Sequence, residues 1–282
     1  MSAERPVDPK VSVPKHFEFL TRLIDRATLD LGALQFKTKN KQHIALACLY
    51  FTILQSVTEC VTLLNKPTIT APAVIRTILE SYADLCALVK NKRHVERMLA
   101  TFYREKKRHL TSILNSPDNP YHRDVATKID ATAELSKVTA ELAKLKSRSH
   151  CPMLAEERFE FAGLTNIYRT FYWQLCLESH NTIGVLELRH IVQHGDKLEL
   201  VLVKPNSAED VWGYIDVLAA FLLDSSVRLY RFLRSAVAVE YRKAWKELRA
   251  LRVLAYPEER RAPRTKKAAA ARTRRSIRRR KG

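Results

Sequence analysis

The stretch LTNIYRTFYWQLCLESHNTIGVLELRHIVQHGDKLELVLV, residues 164–203, decides how the chain is read, because its hydrophobic period changes halfway. Leu164, Tyr168, Phe171, Tyr172, Leu175 and Ser179 recur three and four apart and share one face of a helix. His180 lies at the edge of that face, and the helix is expected to stop at Asn181 or Gly184. Beyond it Leu186, Leu188, His190 and Val192 alternate with Glu187, Arg189 and Ile191. His194-Gly-Asp-Lys197 and the run LELVLV at 198–203 follow, so two β-type runs about a Gly-Asp tip predict a hairpin over 185–203. Pro205 closes the second strand.

Upstream the same periodicity gives helices only. A helix opening with Pro14 in its first turn carries Phe17, Leu20, Ile24, Ala27, Leu31 and Leu34. Residues 42–65 are apolar on almost every side, which predicts the centre of a bundle. Thr70 is placed to cap a helix over 71–90, with Pro72 in the first turn and Ile75, Ile78, Leu79, Tyr82, Leu85, Cys86 and Val89 inward. Helices at 91–115 and 121–148 follow, separated by Ser116-Pro-Asp-Asn-Pro120. After the hairpin, Ser207 with Glu209 and Asp210 opens one long helix to about Ala255. The fold class is therefore mainly α: a bundle of about seven helices over 14–256 with a hairpin insertion. It lies between a flexible 1–13 and a disordered Lys/Arg/Ala-rich tail at 257–282.

Composition narrows the class. The 282 residues are 46% apolar, enough for a substantial core, and six glycines disfavour Gly-rich phosphate loops. P-loop and dinucleotide fingerprints are absent. Five cysteines, odd in number and without C-x-x-C spacing, suit buried thiols in a reducing cytoplasm. No N-terminal stretch reads as a signal peptide, and Gln55, Ser56 and Glu59 interrupt the most apolar window, so no membrane span is expected. Residues 258–282 hold twelve Lys or Arg against two Glu, a net +10 of the chain's +19, which leaves +9 on the rest. That tail carries Lys266, Lys267, Arg272, Arg274, Arg275, Arg278, Arg279, Arg280 and Lys281. So dense a polycation draws phosphate backbones by counterion release, and non-specific DNA or RNA is the expected partner, in the cytoplasm or on the nucleoid. The basic face of 92–108, with Phe102 and Tyr103, is a second, weaker contact surface.

Arg76-Thr-Ile-Leu-Glu80 on one helix, Tyr168 to Ser179-His180 on a later one, and the hairpin after it resemble an all-helical prokaryotic family of unknown function. The resemblance spans roughly 40–205, and the family looks distantly like the HEPN superfamily of nucleotide-binding proteins and RNases. Leu175-Cys176 departs from the family's Leu-Ser. The resemblance implies that Arg189 and His194, an R-x4-H pattern, act on RNA across a homodimer, His as general acid–base and Arg on the phosphate. Against it, periodicity puts both in the hairpin, on opposite faces.

Two other chemistries are open. Arg76 and Glu80, one turn apart, would form a ligand pocket with Tyr168, Tyr172 and His180, or simply an ion pair supporting helix packing. Glu187, His190 and His194 lack a well-placed third metal ligand on a hairpin, so no metal and no cofactor are expected.

Overall fold

The computed structural model describes residues 9–66, 68–116, 118–126, 128–180 and 182–255. The elements in order are α1 (Pro9–Leu31), α2 (Lys41–Leu64), α3 (Ala71–Lys90), α4 (His94–Asn115), α5 (Pro120–Ala126), α6 (Ala131–Ser147) and α7 (Ala155–Ala162). Then α8 starts at Thr165–Ile167, passes through a π turn at Tyr168–Tyr172 and continues as Trp173–Ser179. It is followed by α9 (Ile183–His190), β1 (Ile191–His194), β2 (Lys197–Leu200), α10 (Ala208–Phe232) and α11 (Ala238–Ala255). The protein is mainly α with one antiparallel hairpin, in which Ile191 faces Leu200 and His194 faces Lys197.

The centre is α3, which packs against α2, α4, α7, α8 and α10. From Ser81 to Leu88 every residue of α3 is buried. Ile75, Ile78, Leu79, Leu85 and Leu88 meet Tyr50, Ile53 and Val57 of α2, Phe159 of α7, Leu175 of α8 and Leu218 and Leu222 of α10 in one core. Helices α1 and α11 complete it over α10. Polar ties cross the same interfaces: Tyr82 donates to Asp224 at 2.6 Å, and Tyr241 to Asp30 at 2.9 Å. Arg252 grips Asp216 through two nitrogens at 2.7 and 2.8 Å. Helices α4 and α6 pair beside this body around Leu110, Ile113, Val138 and Leu142.

Several boundaries differ from the sequence reading. Helix α1 starts at Pro9 rather than Pro14, since Ser12 is buried, Val13 packs on the core, and His16 holds the Ser12 carbonyl at 2.9 Å. The central position belongs to α3, not α2. Helix α2 is long and apolar enough to cross a membrane by length and composition, yet it buries only one side and leaves Ile44, Cys48 and Phe51 exposed. Thr70 does not cap α3 with its side chain. The 121–148 helix is two helices, because the Asp130 carboxylate accepts the Ala133 N–H at 2.9 Å and starts a new one. The last helix breaks at residues 233–237, where Arg234 takes a φ of 58°. Ser207 does cap α10, accepting the Asp210 N–H at 3.0 Å.

The largest correction falls in the opening stretch. Residues 183–190 are helical, and only 191–200 form the hairpin. Alternation selects a strand when one face has a core to enter. Here none is offered: Leu188, Leu198, Leu200 and Leu202 are 64%, 68%, 82% and 88% exposed. Without that bias the helix-forming Leu186-Glu-Leu-Arg189 follows its intrinsic preference.

Two stability experiments follow. Leu85→Ala is expected to cost roughly 2–5 kcal/mol by chemical denaturation, and Leu200→Ala no more than about 0.5 kcal/mol. Burial holds the His16 imidazole below its ordinary 6.5. The unfolded chain then binds the extra proton first, so stability is whole above pH 6.5 and falls as the pH drops below it. Denaturation midpoints from pH 8 to pH 5 should show this decline, and His16→Gln should flatten it.

Candidate functional site

Arg76, Glu80 and Asp84 follow one another at single-turn spacing along α3 and line one flank of the central helix. Asp84 lies inside the fully buried run, where a lone carboxylate would be costly. Two basic side chains meet it. His94, the first residue of α4, brings Nε2 to 2.9 Å from Asp84 Oδ1, and Arg158 of α7 brings Nη1 to 3.4 Å from Oδ2. The same Arg158 nitrogen lies 3.8 Å from Glu80 Oε2, so one guanidinium bridges both carboxylates. Arg76 Nε is 3.4 Å from the other Glu80 oxygen.

Local structure explains how each group arrives. Helix α7 begins where the Glu157 carboxylate accepts the Leu154 N–H at 2.7 Å, and it ends at Gly163 with a φ of 76°. That left-handed residue lets the chain turn into α8 while Lys90 donates to the Ala162 carbonyl at 2.5 Å. A side chain there would meet both the unfavourable φ and the Lys90 ammonium. The π turn then sets Tyr168 and Tyr172 face to face, with ring centres 5.2 Å apart, against the buried Phe159. From this position the Tyr172 hydroxyl donates to Glu80 Oε1 at 2.7 Å. Burial first, and then the Glu80 carboxylate, push the Tyr172 phenol well above its usual pKa.

Of the five residues expected to share a pocket, the structure brings Arg76, Glu80 and Tyr172 into direct contact and stacks Tyr168 behind them. His180 is not among them. It is exposed past the end of α8, where its backbone N–H donates to the Leu177 carbonyl at 3.2 Å. Arg189 and His194 are not joined either. Arg189, at the end of a helix, donates to the Glu178 carbonyl, and His194, at the tip of β1, lies 2.9 Å from Glu199.

The sequence reading missed His94 and Arg158. His94 stands in the charged run Asn91-Lys-Arg-His-Val-Glu-Arg97, which reads as a solvated helix start, and residues 153–163 show too little periodicity to catch attention. The available signals were two Glu at the start of a short helix and a Gly at its end. Along α4 and its N-cap residue Arg93, the arginines 93, 97, 104 and 108 are spaced four, seven and four residues apart and so share a face. Arg104 is 2.8 Å from Glu105, and Lys106 is 2.7 Å from Glu134. Arg93, Lys107 and Arg108 have no carboxylate within salt-bridge distance among the described residues. The tail residues Lys266, Lys267, Arg272, Arg274, Arg275, Arg278, Arg279, Arg280 and Lys281 lie outside the described residues.

A family model described as a family of unknown function, DUF5677, matches residues 43–198, more than half of the chain. The match takes in α3, α4, α7 and α8 whole, and with them all of the Glu80–Asp84 cluster. No curated protein and no solved structure matches the chain.

Removing Asp84 strands two partners at once. Asp84→Ala is expected to cost on the order of 3 kcal/mol, read by chemical denaturation. Arg76→Ala, which cuts a half-exposed pair within one helix, should cost about 0.5 kcal/mol or less.

Proposed function

We propose that this chain, which belongs to the family of unknown function DUF5677, is a nucleic-acid-associated helical protein that holds DNA or RNA through sequence-independent phosphate contacts. The observation that carries this reading is the net +10 gathered in residues 258–282. A run so dense in Arg and Lys attracts a phosphate backbone by releasing the counterions condensed on it. The basic surface of α4 supports the reading from within the folded body, since Arg93, Lys107 and Arg108 have no carboxylate within salt-bridge distance among the described residues. Contacts of this kind position a protein on a phosphate backbone and carry no base preference.

Labelled duplex DNA and single-stranded RNA, titrated with the full chain and with residues 1–257 across a salt series, test the proposal. With about six phosphates engaged on duplex DNA, log K should fall against log salt with a slope of roughly −5. The shortened chain should lose most of the affinity and most of the slope. Binding that survives the truncation unchanged, or that is missing from the full chain, overturns the proposal. RNA cleaved by the full chain but not by His194→Ala would replace it with a nuclease.

A further inference from the structure

Residues 183–203 stand apart from the bundle. From Ile183 to Val203, no apolar side chain joins a core or packs against one among the described residues. Leu198, Leu200 and Leu202 lie in solvent. Residues 256–282 offer them little cover, with Tyr256 and Ile277 as the only large apolar side chains there. We infer that the outer edge of β2 is a self-association surface. On it a second copy of this chain lays its own β2 antiparallel, about a two-fold axis at Leu198. The inference does not rest on the tail.

The hydrogen-bond pattern identifies the edge. The Val201 N–H donates to the His190 carbonyl at 2.8 Å, one step beyond the facing pair Ile191 and Leu200. Bonded and non-bonded positions alternate along an antiparallel pair, so Glu199 and Lys197 also turn their backbone groups toward β1. Leu198 and Leu200 therefore turn theirs outward. All four residues of β2 are exposed, which leaves this edge open among the described residues. An open edge is a template for another strand. A two-stranded hairpin is marginal in water, whereas more strands sharing an apolar face are stable. Joining two such edges gives a four-stranded sheet in the order β1–β2–β2–β1.

Symmetry and charge point to a second copy as the occupant. Ile191, Leu198 and Leu200 share one face of the hairpin, and Lys197 and Glu199 share the other. A two-fold at Leu198 brings the outward N–H and C=O of Leu198 against the same groups of the other copy, where they exchange both bonds. The same operation sets Lys197 of each chain opposite Glu199 of the other, at the non-bonded positions where side chains approach most closely. Lys197 has no carboxylate within salt-bridge distance among the described residues, and Glu199 meets only the exposed His194 there. A two-fold at Leu200 would instead set Glu199 against Val201 and Lys197 against Val203, with the charges unmatched. On the opposite face, Ile191, Leu198 and Leu200 of both copies join in one apolar strip. A lipid surface would take up the leucines but use neither the open backbone groups nor the alternation of charge.

Sedimentation velocity of the nuclease-treated full chain tests the inference. The natural sequence should form a dimer in exchange with monomer at micromolar concentration. Leu198→Pro removes an outward N–H and spares the bonds to β1, so it should leave a monomer. Lys197→Glu sets carboxylate against carboxylate, and Glu199→Lys sets ammonium against ammonium, twice per dimer. Each alone should weaken association at least about tenfold. Mixed together, the two single variants place unlike charges opposite each other at both positions and should form a dimer with one chain of each. That rescue also shows that both variants are folded. A natural chain that stays monomeric overturns the inference, as does a dimer that Leu198→Pro leaves intact or a mixture that does not reassemble. A monomer that instead gathers on neutral phosphatidylcholine vesicles, and loses this with Leu198→Asp, would replace the inference with a lipid-facing surface.

Discussion

A carboxylate in the middle of the central helix sets the terms for this bundle. Asp84 sits in an unbroken buried run from Ser81 to Leu88, where an uncompensated charge would be untenable. Its partners come from two other elements, His94 at the start of α4 and Arg158 in α7. The buried pair therefore fixes where α4 departs and where α7 docks. Replacing such a cluster with apolar residues is often neutral for stability, so its presence is better explained by position than by strength. Arg158 carries the link on to Glu80, and Tyr172 carries it into α8. Three other helices, α4, α7 and α8, are registered on one flank of α3 by these few contacts.

The hairpin shows what happens where no such constraint acts. Nothing in β2 is buried, and leucines at 198, 200 and 202 project into solvent. A two-stranded hairpin is marginal on its own in water. What anchors this one is local: Arg189 on the Glu178 carbonyl, and the His190 ring 3.2 Å from the Val201 carbonyl. Its register follows from the turn at Gly195, with a φ of 62°, rather than from a buried face.

That contrast explains how far the sequence could be read. Periodicity located most of the helices and their inward stripes because burial imposes it; Ile75, Ile78, Leu79, Tyr82, Leu85 and Cys86 are all in the core as spaced. It misplaced the centre because hydropathy favours α2, whereas α3 can carry Asp84 and Ser81 inside once their partners are present. It missed the break at 233–237, where no Gly or Pro marks the turn and Arg234 itself takes the left-handed conformation. The alternation at 186–190 misled because pattern alone does not say whether a face will find a core. At the site, Arg76, Glu80 and Tyr172 were legible as spacing within single helices. Their joining to Asp84, His94 and Arg158 depends on packing between helices, which no local pattern records.

Helix α4 is where the fold and its charge meet. Its first residue closes the buried pair with Asp84, and its arginine face looks away from the core along the same helix. Arg97 belongs to both, one turn beyond His94 and over the ring that His94 stacks on. An i,i+3 spacing keeps the two residues adjacent, so the contact that seats α4 also fixes how Arg97 is presented. A long flexible cation free in solvent would lose rotamer freedom on meeting an anion. Arg97 has already given up part of that freedom to Phe161, and the helix that carries it is held by a carboxylate buried in the core. The charge that leaves the body basic is thus partly placed by the interaction that organises its interior.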